Sequence, residues 1–152
     1  MDKAKVLMTK YLQVLGGAAG KEIDNLRAKM AWSLAQDFFL AQPTMPESLK
    51  DLSTSLEKML QQQFPFCSTF KLKEVPPDGI TVAIEECALK EANMELLQQH
   101  NLDLCPMSPF FIFVFSRSLS QNACLVEMDL RTDSQGCTMH FSLSNHRSCK
   151  LD

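Results

Sequence analysis

Glycine is scarce in this chain, five in 152 residues, and there are only three histidines, one tryptophan and one tyrosine. No glycine-rich phosphate loop and no paired-histidine metal motif can be assembled from them. Charge of one sign is also lacking: the formal net charge of −3 gives no broad field for attracting nucleic acid. The longest apolar block, residues 109–115, is far short of the ~20 residues of a membrane-spanning helix. Met1 to Leu15 carries Lys3, Lys5 and Lys10 and is followed by no small-residue cleavage pattern, so no secretory signal is expected. None of the six cysteines forms a C-x-x-C pair, which removes the zinc-knuckle and thioredoxin-like patterns.

What is present is an ordinary globular composition, 45% hydrophobic and 22% charged. A chain of this length buries roughly 70% of its unfolded surface, so a single core over 1–152 needs no disulfide staple. The cysteines, at 67, 87, 105, 124, 137 and 149, are irregularly spaced and read as free thiols of a cytoplasmic protein.

The first half reads as helices. Ala4, Leu7, Met8, Tyr11, Leu12 and Leu15 keep helical spacing up to a stop at Gly16-Gly17. From 21 to 42, Ile23, Leu26, Met30, Leu34, Phe38 and Ala41 repeat the 3.6 period until Pro43 closes the run. Thr44-Met45-Pro46-Glu47 reads as a capping box for a third helix with Leu49, Leu52, Leu56, Met59 and Leu60 on one face, interrupted at Phe64-Pro65.

Beyond residue 65 the period becomes two. Phe70 and Leu72 alternate with lysines, and Ile80, Val82 and Ile84 alternate with Thr81 and Ala83; Pro76-Pro77-Asp78-Gly79 joins the two strands as a hairpin. Leu89, Ala92, Leu96, Leu97 and His100 suit a helix ending near Asn101. Ser108-Pro109 starts another, with strand left open as an alternative over 109–115. In the last hairpin Cys124, Val126, Met128 and Leu130 are expected on one face, with Leu125, Glu127, Asp129 and Arg131 on the other. After a turn over 132–136, Cys137, Met139, Phe141 and Leu143 form a second apolar face, and a frayed tail follows from 145. The expected class is α+β: a helical portion over 1–64, then two hairpins enclosing helices over 65–145, with one antiparallel sheet packed on the helices.

Several residues offer chemistry. Cys105 begins the long helical connection of the second half and Cys137 the last strand, so the fold can bring their thiols together for metal or redox work; more often a free cysteine is a small buried hydrophobe. Glu85-Glu86-Cys87 pairs carboxylates with a thiol, but successive strand residues face opposite ways. His140 should lie opposite Met139 and Phe141, in solvent. The lysines of the first helix suggest membrane-surface contact only weakly, since such faces are usually just solvated.

Residues 76–143 show a hairpin, a helix, a cysteine before a second helix in Leu104-Cys105-Pro106-Met107-Ser108, a strand, and a closing strand, Gly136-Cys137-Thr138-Met139-His140-Phe141, with Arg131-Thr132 upstream. In this order of elements the segment resembles the four-vinyl-reductase (hydrocarbon-binding) domain and the L-2-amino-thiazoline-4-carboxylic acid hydrolase-like family. The resemblance implies a small-molecule-binding or sensory domain with a mostly apolar pocket, a small apolar ligand, and Cys105, Cys137, Met128, Met139 and Phe141 along the pocket wall. A thiazoline-type hydrolase is the alternative, although the matched positions lack the acidic residues that would activate water. A third reading is a non-catalytic interaction module whose helix faces bind a partner or a second copy as a homodimer.

Overall fold

The computed structural model of the protein describes residues 3–63, 66–130 and 135–145. Helix α1 (Lys3–Ala19) leads through a 3-10 turn (Gly20–Glu22) into α2 (Ile23–Ala41), and α3 (Leu49–Lys58) continues as a π turn (Met59–Gln63). Strands β1 (Thr69–Val75) and β2 (Gly79–Glu85) form the first hairpin. Helices α4 (Lys90–His100) and α5 (Met107–Leu119) follow, and β3 (Asn122–Asp129) and β4 (Cys137–Ser144) form the second hairpin. The sheet is antiparallel throughout, in the order β1-β2-β4-β3. This is the α+β arrangement that the change of period predicts.

One face of the sheet is apolar by alternation. Ile80 pairs with Phe141, Val82 with Met139 and Ile84 with both Cys137 and Phe70, and all seven side chains are buried. Helix α5, whose residues 109–115 are helical rather than extended, lies against this face. Its Phe111 stacks between Phe70 and Phe115 at centroid distances of 5.8 and 5.6 Å and meets Phe141 edge-on. Helix α2 packs on the far side of α5, α3 packs on β1, and α1 rests on α4. On the other sheet face Lys71 and Lys73 of β1 are exposed and the residues of β2 and β4 are half-buried; there Thr81 Oγ1 and His140 Nδ1 are hydrogen-bonded at 2.9 Å, so His140 lies opposite Met139 and Phe141 as expected but half-buried instead of in open solvent.

Four local expectations are corrected. Helix α1 runs through Gly16-Gly17 to Ala19, because Gly16 permits contact with α4: a Cβ there would lie 2.6 Å from Leu96 Cδ1. The cap of α3 is Ser48, whose Oγ accepts from Asp51 N at 3.1 Å, and Thr44 lies in the preceding bend. Helix α5 begins at Met107, and Ser108 uses its hydroxyl to accept from Arg27 instead of capping. In β3 a bulge between Leu125 and Glu127 makes Val126 an extra, exposed residue. The faces exchange there: Leu125 opposite Phe141 and Met128 opposite Met139 share the apolar side, and Cys124 opposite Ser142 lies on the other.

Residues 132–134 of the turn expected over 132–136, the interruption at Phe64-Pro65, the Arg131-Thr132 pattern and residues 146–152 of the tail expected from 145 lie outside the described residues. No helix among the described residues is long and apolar enough to cross a membrane.

Candidate functional site

The helical layer does not close over all of its apolar surface. Ile23, Ala31, Leu34, Ala35 and Phe38 of α2 are buried, yet Leu26 and Met30 on its flank are 41% and 54% exposed. Helix α1 is held on α4 through Gly16 and a Gln13–Glu95 hydrogen bond. Between α1 and α2 this leaves a groove of about 430 Å³. Leu12 and Leu15 form one wall, Leu26, Met30 and Leu34 the other, and Phe66, Ala88, Leu89, Leu104 and Pro106 contribute the rest of the apolar lining. Its volume and apolar walls are those of a small-molecule site.

Arg27 is the one charged side chain in that lining. Its Nε donates to Cys105 O at 2.7 Å and its Nη2 to Ser108 Oγ at 2.6 Å, while Nη2 also lies 3.3 Å from Asp103 Oδ2. The guanidinium therefore pins α2 to the connection between α4 and α5. That connection is ordered from the other side by Asn93, 3% exposed, whose Oδ1 accepts from the backbone N–H of both Leu104 and Cys105. Asp103 Oδ1 accepts from Cys105 N as well. Asn101, with φ of 52°, ends α4 in the left-handed region and starts the turn.

The sequence-predicted residues lie elsewhere. Cys105, Cys137 and Met128 do come together, with Cys87 and Lys90, around a cavity of about 20 Å³. That space is about the size of one water and holds no organic ligand. Met139 and Phe141 are 0% and 2% exposed within the sheet–α5 core, where Phe141 packs edge-on against Phe111 and Phe115. Lys90, though 7% exposed, donates from Nζ to Gly136 O and so ties α4 to the start of β4. Glu86 turns outward in the left-handed region with φ of 50° while Cys87 is buried, so the Glu86 carboxylate and the Cys87 thiol do not share one pocket.

Cys67, Cys87, Cys105 and Cys137 are free and buried, as expected. Cys124 is disulfide-bonded, which corrects the expectation of free thiols at that position. Burial pushes the Cys105 thiol well up, beyond the opposing effect of the Met107 backbone N–H. Burial, with Cys87 nearby, pushes Cys67 up to about 11. Both thiols are thus held protonated, the reverse of what a nucleophile or metal ligand needs. No group of three or more His, Cys, Asp or Glu side chains among the described residues could hold a metal ion.

The raised Cys67 value has a measurable consequence. Its folded pKa lies above the ordinary value of 9.0, so the native state keeps a proton that the unfolded chain has lost. This contribution to stability is complete below about pH 9 and disappears as the pH rises towards about 11. Urea midpoints across that interval should fall, and Cys67→Ser should remove part of the slope. An equal slope in that variant would show that Cys67 is not responsible.

A larger depression of about 640 Å³ lies near the β1–β2 turn, with Glu47, Glu74, Asp78 and Arg117 in its lining. Its mixed charge and lack of a continuous apolar wall make it the poorer site. The groove residues were not singled out by sequence, because Leu12, Leu26, Met30 and Leu34 have the spacing of ordinary core positions. A usable signal was Arg27, four residues from both Ile23 and Ala31 and thus on the buried face of α2.

No protein-family model matches the chain, and no curated protein matches it. Among solved structures, the chain is similar to a mutant H-NOX protein from K. algicida in its Fe(II) unliganded form, at 9% identity and a TM-score of 0.36. That alignment covers 97% of this chain and 64% of the H-NOX chain.

Proposed function

We propose that the protein is a small-molecule-binding domain, with a sensory role as the use of that binding, and that the ligand sits in the apolar groove between α1 and α2. The observation that carries this reading is a groove of about 430 Å³ whose lining is ten apolar residues and one fixed guanidinium. The four-vinyl-reductase (hydrocarbon-binding) resemblance points to the same class of activity. On this reading the thiols around Cys105 and Cys137 are structural, and Met128, Met139 and Phe141 support the sheet behind the site. The hydrolase alternative is the weaker, because burial disfavours the thiolate at Cys105.

Dodecan-1-ol is a suitable probe. At about 100 times its Kd, a ligand of the native state adds about 2.7 kcal/mol, which for a chain of this size raises Tm by roughly 5–10 °C. Met30→Arg places a charge in the groove at a half-exposed position and should abolish the shift without unfolding the protein. An equal shift in that variant would rule out the groove.

A specific observation supports an interaction module as the second reading. Leu7, Tyr11 and Val14 form an outward stripe on α1 and are 73%, 65% and 71% exposed. Sedimentation of the wild type beside Tyr11→Glu tests it: a complex that dissociates in the variant supports association through this stripe. The cytosol is the proposed compartment on the strength of four buried free thiols, and the Cys124 disulfide is the observation against it. An intact mass measured without reductant, on protein from its own cells, distinguishes the two.

A further inference from the structure

The chemistry of the groove's single charged residue narrows the class of ligand. Arg27 carries five N–H donors in one plane. Nε and Nη2 are engaged by Cys105 O, Ser108 Oγ and Asp103, whereas Nη1 makes no hydrogen bond among the described residues. Three partners, Asp103 and Cys105 in the α4–α5 connection and Ser108 in the first turn of α5, hold the guanidinium still, so its remaining edge is positioned before any ligand arrives.

The balance of charge is the second consideration. Asp103 Oδ2 lies 3.3 Å from Nη2, longer than the 2.7–2.9 Å of a close charge-assisted bond, and so quenches the guanidinium incompletely. No other cation lines the groove. A dianion such as a phosphate monoester would set two negative charges beside Asp103 against one arginine. A single carboxylate meets the free edge with less opposition, and the other lining residues require the rest of the molecule to be hydrocarbon.

Size is the third. If a methylene takes about the ~30 Å³ of a water, the groove holds on the order of ten to fifteen carbons. From these observations we infer that the groove binds an apolar monocarboxylate of about that length, its chain between α1 and α2 and its carboxylate on Arg27 Nη1. This inference rests on the groove being the ligand site.

Dodecanoate and dodecan-1-ol share a chain and differ at the head, so calorimetric titration of the wild-type protein with each separates the two ideas. Dodecanoate should bind about tenfold more tightly, the factor expected of a hydrogen bond to a charged group. In Arg27→Gln the ratio between the two ligands should fall to about one. Equal affinities in the wild type would overturn the carboxylate inference and leave the groove as an apolar site. Binding of neither would overturn both. Because the wild-type comparison stands alone, it decides even if the variant folds poorly.

Discussion

Phe111→Ala should lower the stability of the protein by about 3–5 kcal/mol, a large share of the roughly 5–15 kcal/mol available to a domain. Phe111 is fully buried on α5, stacked between Phe70 of β1 and Phe115 of its own helix, and in edge-on contact with Phe110 and with Phe141 of β4. It therefore joins the first hairpin, the second hairpin and the helix that crosses them. Truncation removes the ring's transfer free energy and leaves a cavity whose walls are other fixed rings, so the site collapses poorly. The urea midpoint should fall by roughly 2 M for a typical dependence on denaturant. The same substitution at Phe113, half-buried and edge-on to exposed Trp32, should cost much less. Similar losses at both positions would show that the ring stack is not the centre of the core.

The contrast between these phenylalanines marks how far the sequence carries. Period and punctuation were enough for the elements: the apolar repeat of α2, the alternation of Ile80, Val82 and Ile84, and the Pro76–Gly79 turn all have local causes. Gly79 is required there because a Cβ would lie 2.9 Å from Val75 O. Gly16-Gly17 carries the same local signal as a helix stop, and only the presence of Leu96 across the contact makes it a point of close approach. The bulge at Val126 is also silent in the sequence, since one extra residue reverses two faces without changing composition.

The candidate site divides in the same way. That Cys105 and Cys137 approach each other could be argued from their places at the starts of an element and of its connection. That the space between them is only about 20 Å³ could not, because cavity size depends on how the side chains of four segments settle. The apolar groove is hidden for a related reason: a leucine left facing open space and a leucine in the core have the same spacing. Arg27 shows where such a site can be sought, since a charge on the buried face of a helix must be matched by partners distant in sequence.

Those partners predict the outcome of removing it. Arg27→Leu should cost about 2–4 kcal/mol, because Cys105 O and the Ser108 hydroxyl, 2% exposed as a residue, both lose their donor when the guanidinium goes. The ion pair is a minor part of this. Its two side chains are 22% and 29% exposed and are 3.3 Å apart, so solvent screens their attraction. A double-mutant cycle with Asp103→Asn, followed by urea unfolding, should therefore give a coupling below about 1 kcal/mol even though Arg27→Leu is severe. A coupling as large as the whole Arg27→Leu effect would instead make the ion pair the tie between α2 and the α4–α5 connection. In that case Asp103 would quench the guanidinium more fully than its geometry indicates, and a carboxylate would gain little by meeting the free edge. Stability and ligand preference thus depend on the same three partners of one arginine. Measuring the cycle first fixes how much of its charge is left for a ligand.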